Sequence, residues 1–225
     1  MHARRPLIAV AVCLAASGCR AGASRERPVV RPPSEIEFPA TVHARAFDSG
    51  WMMPGYHAVV ARGGRMAHAA LLEAEVSDVS VVRALESLGA APGNNLSMDA
   101  WRRRRDSRSP APDATIAGPA VDVLVRIPGR AELVPLSELV EDRGGRGLDL
   151  RFGGNERLIP EWRSGCIVCL YSCPGSKIGN ARYTERDYVR GATRFRSRAS
   201  ALPPSGTRVG VVVRLRAASP AESRP

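Results

Sequence analysis

The sequence predicts an α+β domain of mostly antiparallel strands, one main helix and a cysteine-bearing loop. Three observations lead there. Several short segments carry β-branched or alternating apolar residues and are bounded by Gly or Pro. One stretch between them has helical apolar spacing, at Val81, Val82, Leu85 and Leu88. Finally, the strands do not alternate regularly with helices, which excludes a Rossmann-like sheet, and no internal repeat is present.

Taken in order, residues 1–5 are short and positive, 6–16 are apolar after an initial proline, and Ser17-Gly18 precede Cys19. This is the three-part plan of a secretory signal, with an apolar run too short to span a bilayer. Small residues directly before a cysteine resemble the bacterial lipobox, so 1–18 are expected as a lipoprotein signal peptide and Cys19 as the lipidation site. The expected location is the bacterial cell envelope, anchored by lipid on the inner or outer membrane. Arg4-Arg5 also has the outline of a twin-arginine signal, which leaves two export routes open.

Residues 19–34 hold arginines and prolines without apolar periodicity and are expected as a lipidated, flexible tether. The domain follows at 35–216, with strands expected at 35–46, 56–61, 66–76, 121–127, 148–152 and 207–216. The main helix starts at the caps Ser77 or Asp78 and stops at Gly89 and Pro92-Gly93. Two shorter helices are expected at 135–140 and 185–191. Residues 101–119 read as a surface loop, because four consecutive arginines from Arg102 are followed by Ser, Pro and Asp. Residues 217–225 are small, polar and proline-bearing, as in a disordered tail.

With 44% hydrophobic and 24% charged residues, the composition is that of a globular domain. The net charge of +11 raises nucleic-acid binding, but no basic stripe is interleaved with stacking residues and aromatics are only 5%. Of the 33 basic residues only Lys177 is lysine, a bias of composition rather than of a groove. The expected partner is therefore a membrane through the anchor, with no nucleic acid.

Cys13 and Cys19 belong to the leader region, leaving Cys166, Cys169 and Cys173 for the fold. An odd count in an oxidising compartment calls for a free thiol beside one disulfide, a metal site, or pairing between molecules. The spacing Cys166-Ile-Val-Cys169-Leu-Tyr-Ser-Cys173-Pro174 equals the last three cysteines and proline of the bacterial iron–sulfur run C-x2-C-x2-C-x3-C-P. Arg163 stands where the first cysteine of that run belongs. The trio thus suits an iron–sulfur cluster with another fourth ligand, zinc with His57 or His68 as fourth ligand, a redox-active Cys166/Cys169 pair, or a structural staple.

The segment from Ser164-Gly165-Cys166 through Cys173-Pro174-Gly175, continuing Lys177-Ile178-Gly179-Asn180 and Tyr183-Thr184, resembles the signature of the YdjY-type domain family. These are mostly uncharacterised, often lipidated, exported bacterial proteins. His68 with Leu71-Leu72, the helix ending at Gly89, and Gly154-Asn155 before Leu158-Ile159-Pro160 fall in the family's order, so the resemblance covers roughly residues 50–215. Where the family commonly has His-Glu, this chain has His68-Ala69. Because members have been described as ferredoxin-like, the resemblance implies a redox role for Cys166, Cys169 and Cys173 and an envelope redox partner, without an established reaction.

Other features carry less. The glycine-rich turn from Arg143 to Gly147 lacks the Lys-Ser/Thr of a phosphate loop, and neither an HExxH pattern nor a G-x-S-x-G elbow is present. Glu73 and Glu75 lie on one face of an expected strand, where solvent explains them. Two functions remain: a redox or metal-binding envelope lipoprotein, or a structural or partner-binding module whose cysteines brace a loop.

Overall fold

The computed structural model describes residues 26–49 and 53–217, so the leader, Cys19 and the tail from 218 onward lie outside the described residues. The chain opens with β1 (Val29–Arg31), β2 (Glu35–Val42), α1 (Ala44–Ser49), β3 (His57–Ala61), β4 (Ala70–Ala74) and α2 (Asp78–Ser87). It continues through α3 (Met98–Arg102), β5 (Val121–Arg126), β6 (Val134–Pro135), α4 (Leu136–Leu139), β7 (Val140–Glu141) and β8 (Leu150–Phe152). The last third holds α5 (Ile159–Trp162), β9 (Cys166–Cys169), β10 (Ile178–Asn180), α6 (Glu185–Arg190), β11 (Arg196–Ser197) and β12 (Arg208–Leu215).

The main sheet runs β6-β5-β12-β2-β4-β3-β9-β10-β8, with β1 on β2. It curls until a bridge between Ala120 and Arg151 ties β8 back to the entrance of β5. Strand alternation explains its flanks. In β2, Ile36, Phe38, Ala40 and Val42 point inward while Glu35 and Glu37 point outward to Arg214 and Arg126. The middle strands read differently: every residue of β3 and β9 is buried, as expected where both faces of a sheet are covered. Helix α2 begins at Ser77, whose side chain accepts the Ser80 N–H, and turns Val81, Val82 and Leu85 into the core.

The fold expectation, α+β with mostly antiparallel strands, one main helix and a cysteine-bearing loop, is corrected. The molecule is mostly β, organised around one curled mixed sheet, and its helices other than α2 are six residues or shorter among the described residues. Two pairs are parallel, β3 with β4 and β9 with β10. Alternation could not reveal them, since apolar period says nothing of strand direction and both crossovers use compact turns where a helix is usual. The cysteine run is also not a loop: Cys166–Cys169 is β9, in the middle of the sheet. Gly165 before it and Pro174-Gly175 after it carry loop chemistry and masked a strand of only four residues.

In segment 101–119, Trp101 and Arg102 end α3, and Arg102, Arg103 and Arg105 are exposed. Its second half is nevertheless tied down. Arg186, only 6% exposed, donates to the Asp106 carbonyl at 3.1 Å, to the Ser109 carbonyl and to Asp113 Oδ1 at 2.6 Å. Ile116 is buried and its N–H donates to Ser172 Oγ at 2.9 Å.

A buried His-Cys-Cys centre as candidate functional site

Strand β9 lies antiparallel to β3, with His57 opposite Cys169 and Val60 opposite Cys166, and the register slips twice between them. On a regular strand, residues three apart face opposite sides. The irregular register lets both sulfurs turn toward one imidazole: His57 Nδ1 is 3.4 Å from Cys166 Sγ and 3.6 Å from Cys169 Sγ. Cys166 and Cys169 are joined as a disulfide, with Cα atoms 6.6 Å apart. The three donor atoms lie within 4.8 Å of one another.

The entrance to β9 depends on two glycines. Gly165 has φ of +71°, and a Cβ on Gly64 would sit 2.8 Å from the Gly165 Cα, so backbones meet where a side chain would intrude. That contact carries Ala61 N–H to Gly165 O at 2.8 Å and Met66 N–H to Ser164 O at 3.2 Å, locking β9 beside the turn after β3.

Burial sets the electrostatics. His57 is 3% exposed and both bonded cysteines are 0% exposed. Desolvation, helped by the nearby His68 charge, pushes the His57 pKa down to about 3, so the imidazole is neutral with a free lone pair. Its Nδ1 faces sulfur; its buried Nε2 has no hydrogen-bond partner among the described residues.

Cys173 stands apart. It occupies the turn after β9, is buried as a free thiol, and receives the Gly175 N–H on its sulfur at 3.3 Å. Its electrostatic neighbours are Glu185 and Tyr56, and burial pushes its thiol far above the ordinary range. Glu185, at the start of α6, accepts the Tyr56 hydroxyl on one carboxyl oxygen; the other is buried without a partner among the described residues. Burial raises the Glu185 pKa to about 8. Beneath the same turn lies Lys177, with Nζ donating to Gly175 O at 3.0 Å and 3.9 Å from Asp78, its pKa lowered by burial. Tyr56 stacks on Tyr171 at 4.8 Å, fixing its hydroxyl toward Glu185.

A cavity of about 460 Å³ opens against this region, walled by Met53, Met66, Met98, Trp101 and Trp162, with His57 and Cys173 on its inner side. Trp101 meets Trp162 edge-on at 5.4 Å. Trp162 covers Gly175 so closely that a Cβ there would fall 2.0 Å from the indole, which is why this turn takes glycine.

The structure therefore unites Cys166 and Cys169 with His57 and leaves Cys173 outside that group. His68 is exposed on the turn Ala67–Ala69 and reaches the cavity wall, not the sulfurs. His43 pairs with Glu73 at 3.4 Å. Sequence reasoning missed Tyr56, Glu185 and the methionine wall. No periodicity marks them; an acidic residue at a helix start reads as a cap, and isolated methionines read as core. The motif residue Asn180 proves a brace, its amide accepting from Asp149 and Arg182 and donating to Gly147 and Leu170.

Fold and site together define a β-rich domain with a buried His-Cys-Cys centre in its sheet. The chain belongs to the YdjY domain family, whose model matches residues 32–214. It is 31% identical over 160 residues to the uncharacterized protein YdjY of Escherichia coli strain K12, an alignment covering 71% of this chain and 67% of that protein. No solved structure matches it.

Proposed function

We propose that this protein is a lipid-anchored component of the bacterial cell envelope whose His57, Cys166 and Cys169 form a reversible centre: a disulfide when oxidised, a dithiol that holds one thiophilic metal ion when reduced. One observation carries the reading, the approach of a neutral imidazole nitrogen to within 3.4 and 3.6 Å of the two sulfurs. Reduction takes two electrons and two protons from a dithiol donor, which leaves as its own disulfide. Metal binding then releases the two thiol protons, while His57 has none to lose. Two thiolates and one imidazole suit a single zinc or copper(I) ion. They do not suit an iron–sulfur cluster held by three cysteines, because Cys173 is not in the group. The lipid anchor rests on the residues before Cys19.

A second reading, a module in which the disulfide is a permanent brace, draws on the complete burial of both sulfurs. Protein purified without oxygen and reduced separates the two. One equivalent of zinc or copper(I), weakened at least tenfold by His57→Ala, supports the centre. A disulfide that dithiol reductants cannot open in the native protein, together with no bound metal, supports the brace.

A further inference from the structure

The cavity beside His57 has a donor set that the centre itself does not use. The chain contains five methionines, and three of them, Met53, Met66 and Met98, wall this one space. The other two are Met1 and Met52, outside the described residues. A thioether is an ordinary apolar filler in a core, but it is also a soft donor that hard and borderline cations ignore. The rest of the wall combines the indoles of Trp101 and Trp162 with polar groups, Arg65, His68 and Cys173 among them. The one carboxylate on it, Glu161, is engaged by Arg102 at 2.5 Å. A calcium or magnesium ion would find no free oxygen cage here.

His57 supplies the second, independent observation. Its ring lines the cavity, its Nδ1 is turned to the disulfide sulfurs, and its Nε2 is buried without a partner among the described residues. An unpaired polar atom in such a place opposes folding, so it calls for an occupant. With the ring proton on Nδ1 facing sulfur, the Nε2 lone pair is free, since the bond made by one ring nitrogen fixes what the other offers. Met53 is also held at φ of +54°, a left-handed conformation uncommon for methionine, which positions its side chain at the wall at some backbone cost.

We propose that this cavity is a copper(I) site, with the thioethers of Met53, Met66 and Met98 and the Nε2 of His57 as its donors. It extends the metal reading of the His57 centre, sharing that residue, yet it uses different atoms and is available while Cys166 and Cys169 remain a disulfide. No electron or bond is exchanged with the protein on binding; one cation enters and the neutral imidazole keeps its proton. The order of use follows: the oxidised protein takes copper(I) in the cavity, and opening of the disulfide makes the thiolates available as stronger ligands behind it.

The test uses the full chain with its disulfide intact, copper(I) maintained by ascorbate, and a chromogenic copper(I) chelator as competitor. The expected result is one bound equivalent, no retained zinc, and protection of Met53, Met66 and Met98 from peroxide oxidation as read by mass spectrometry. Met53→Leu/Met66→Leu/Met98→Leu, which keeps the apolar volume, should weaken copper(I) at least 100-fold while leaving the circular dichroism and the reduced-state zinc stoichiometry unchanged. Cys166→Ser/Cys169→Ser should abolish the reduced-state zinc and spare the cavity copper. If oxidised protein takes no copper(I), or the leucine variant holds it as tightly as the parent, the cavity proposal is overturned even where the reduced centre still binds zinc. If the cavity binds and the reduced centre does not, the inference stands and the thiolate reading falls.

Discussion

Glu185→Gln tests the buried polar cluster most directly. Glu185 is wholly buried, and its pKa is raised to about 8 from an ordinary 4.5 because burial penalises the carboxylate. The folded protein therefore keeps a proton that the unfolded chain releases. For an acid raised in this way, its contribution to stability is fully present below pH 4.5 and is lost as pH climbs through about 8. At about 1.4 kcal/mol per pH unit, the loss across that window is about 5 kcal/mol. Glutamine keeps an oxygen to accept the Tyr56 hydroxyl but has no proton to lose, so the variant does not share this decline. The assay is urea unfolding of both proteins, disulfide intact, at pH 4.5, 6, 7.5 and 9. Other titrating groups cancel in the difference between the two, which should shift by several kcal/mol in favour of the variant as pH rises. Parallel stability curves would refute the claim that Glu185 is held protonated.

Two further outcomes are expected. Arg186→Ala removes a buried guanidinium that binds the backbone of Asp106 and Ser109 and the side chain of Asp113, and should cost about 2–4 kcal/mol. Hydrogen exchange should accelerate mainly within 104–116; unchanged protection there would mean the segment is held by something else. Cys19→Ser should release the protein from membranes, and unaltered detergent partitioning would end the lipoprotein reading.

Where apolar pattern and capping act locally, the sequence was legible. The strands at β2, β3, β4, β5, β8 and β12 and helices α2, α4 and α6 fall within the expected segments; the strands are written in alternation or β-branched runs, and α2 in helical spacing with its cap Ser77. What failed depends on partners distant in the chain. β9 and β10 are four and three residues long, and their strand character comes from β3 and β8 beside them. The site shows the same division. Cys166 and Cys169 were identified by spacing, and His57 was named as a candidate beside His68. The choice between the two histidines required the register that sets His57 opposite Cys169, while His68 lies on the exposed turn before β4. Cys173 was grouped with the other cysteines by proximity in sequence, yet its turn delivers it to Tyr56 and Glu185.

The brace reading carries a physical burden that the metal reading does not. A disulfide closing a short segment requires only two cysteines and apolar packing around them. Here the same few turns bury His57, Lys177 and Glu185, and leave His57 Nε2 and one Glu185 oxygen without partners among the described residues. Each such group opposes folding, and apolar residues of similar volume in their place are often neutral or stabilising. The neutral imidazole and the protonated carboxyl show how the fold tolerates His57 and Glu185, by suppressing charge, while Lys177 has Asp78 3.9 Å away. The buried lone pair of His57 lies beside the cysteine pair and the stored proton of Glu185 beside Cys173, and these are resources that metal capture and proton-coupled thiol chemistry use. Their cost has a physical rationale if the centre works, and none if it is only a staple.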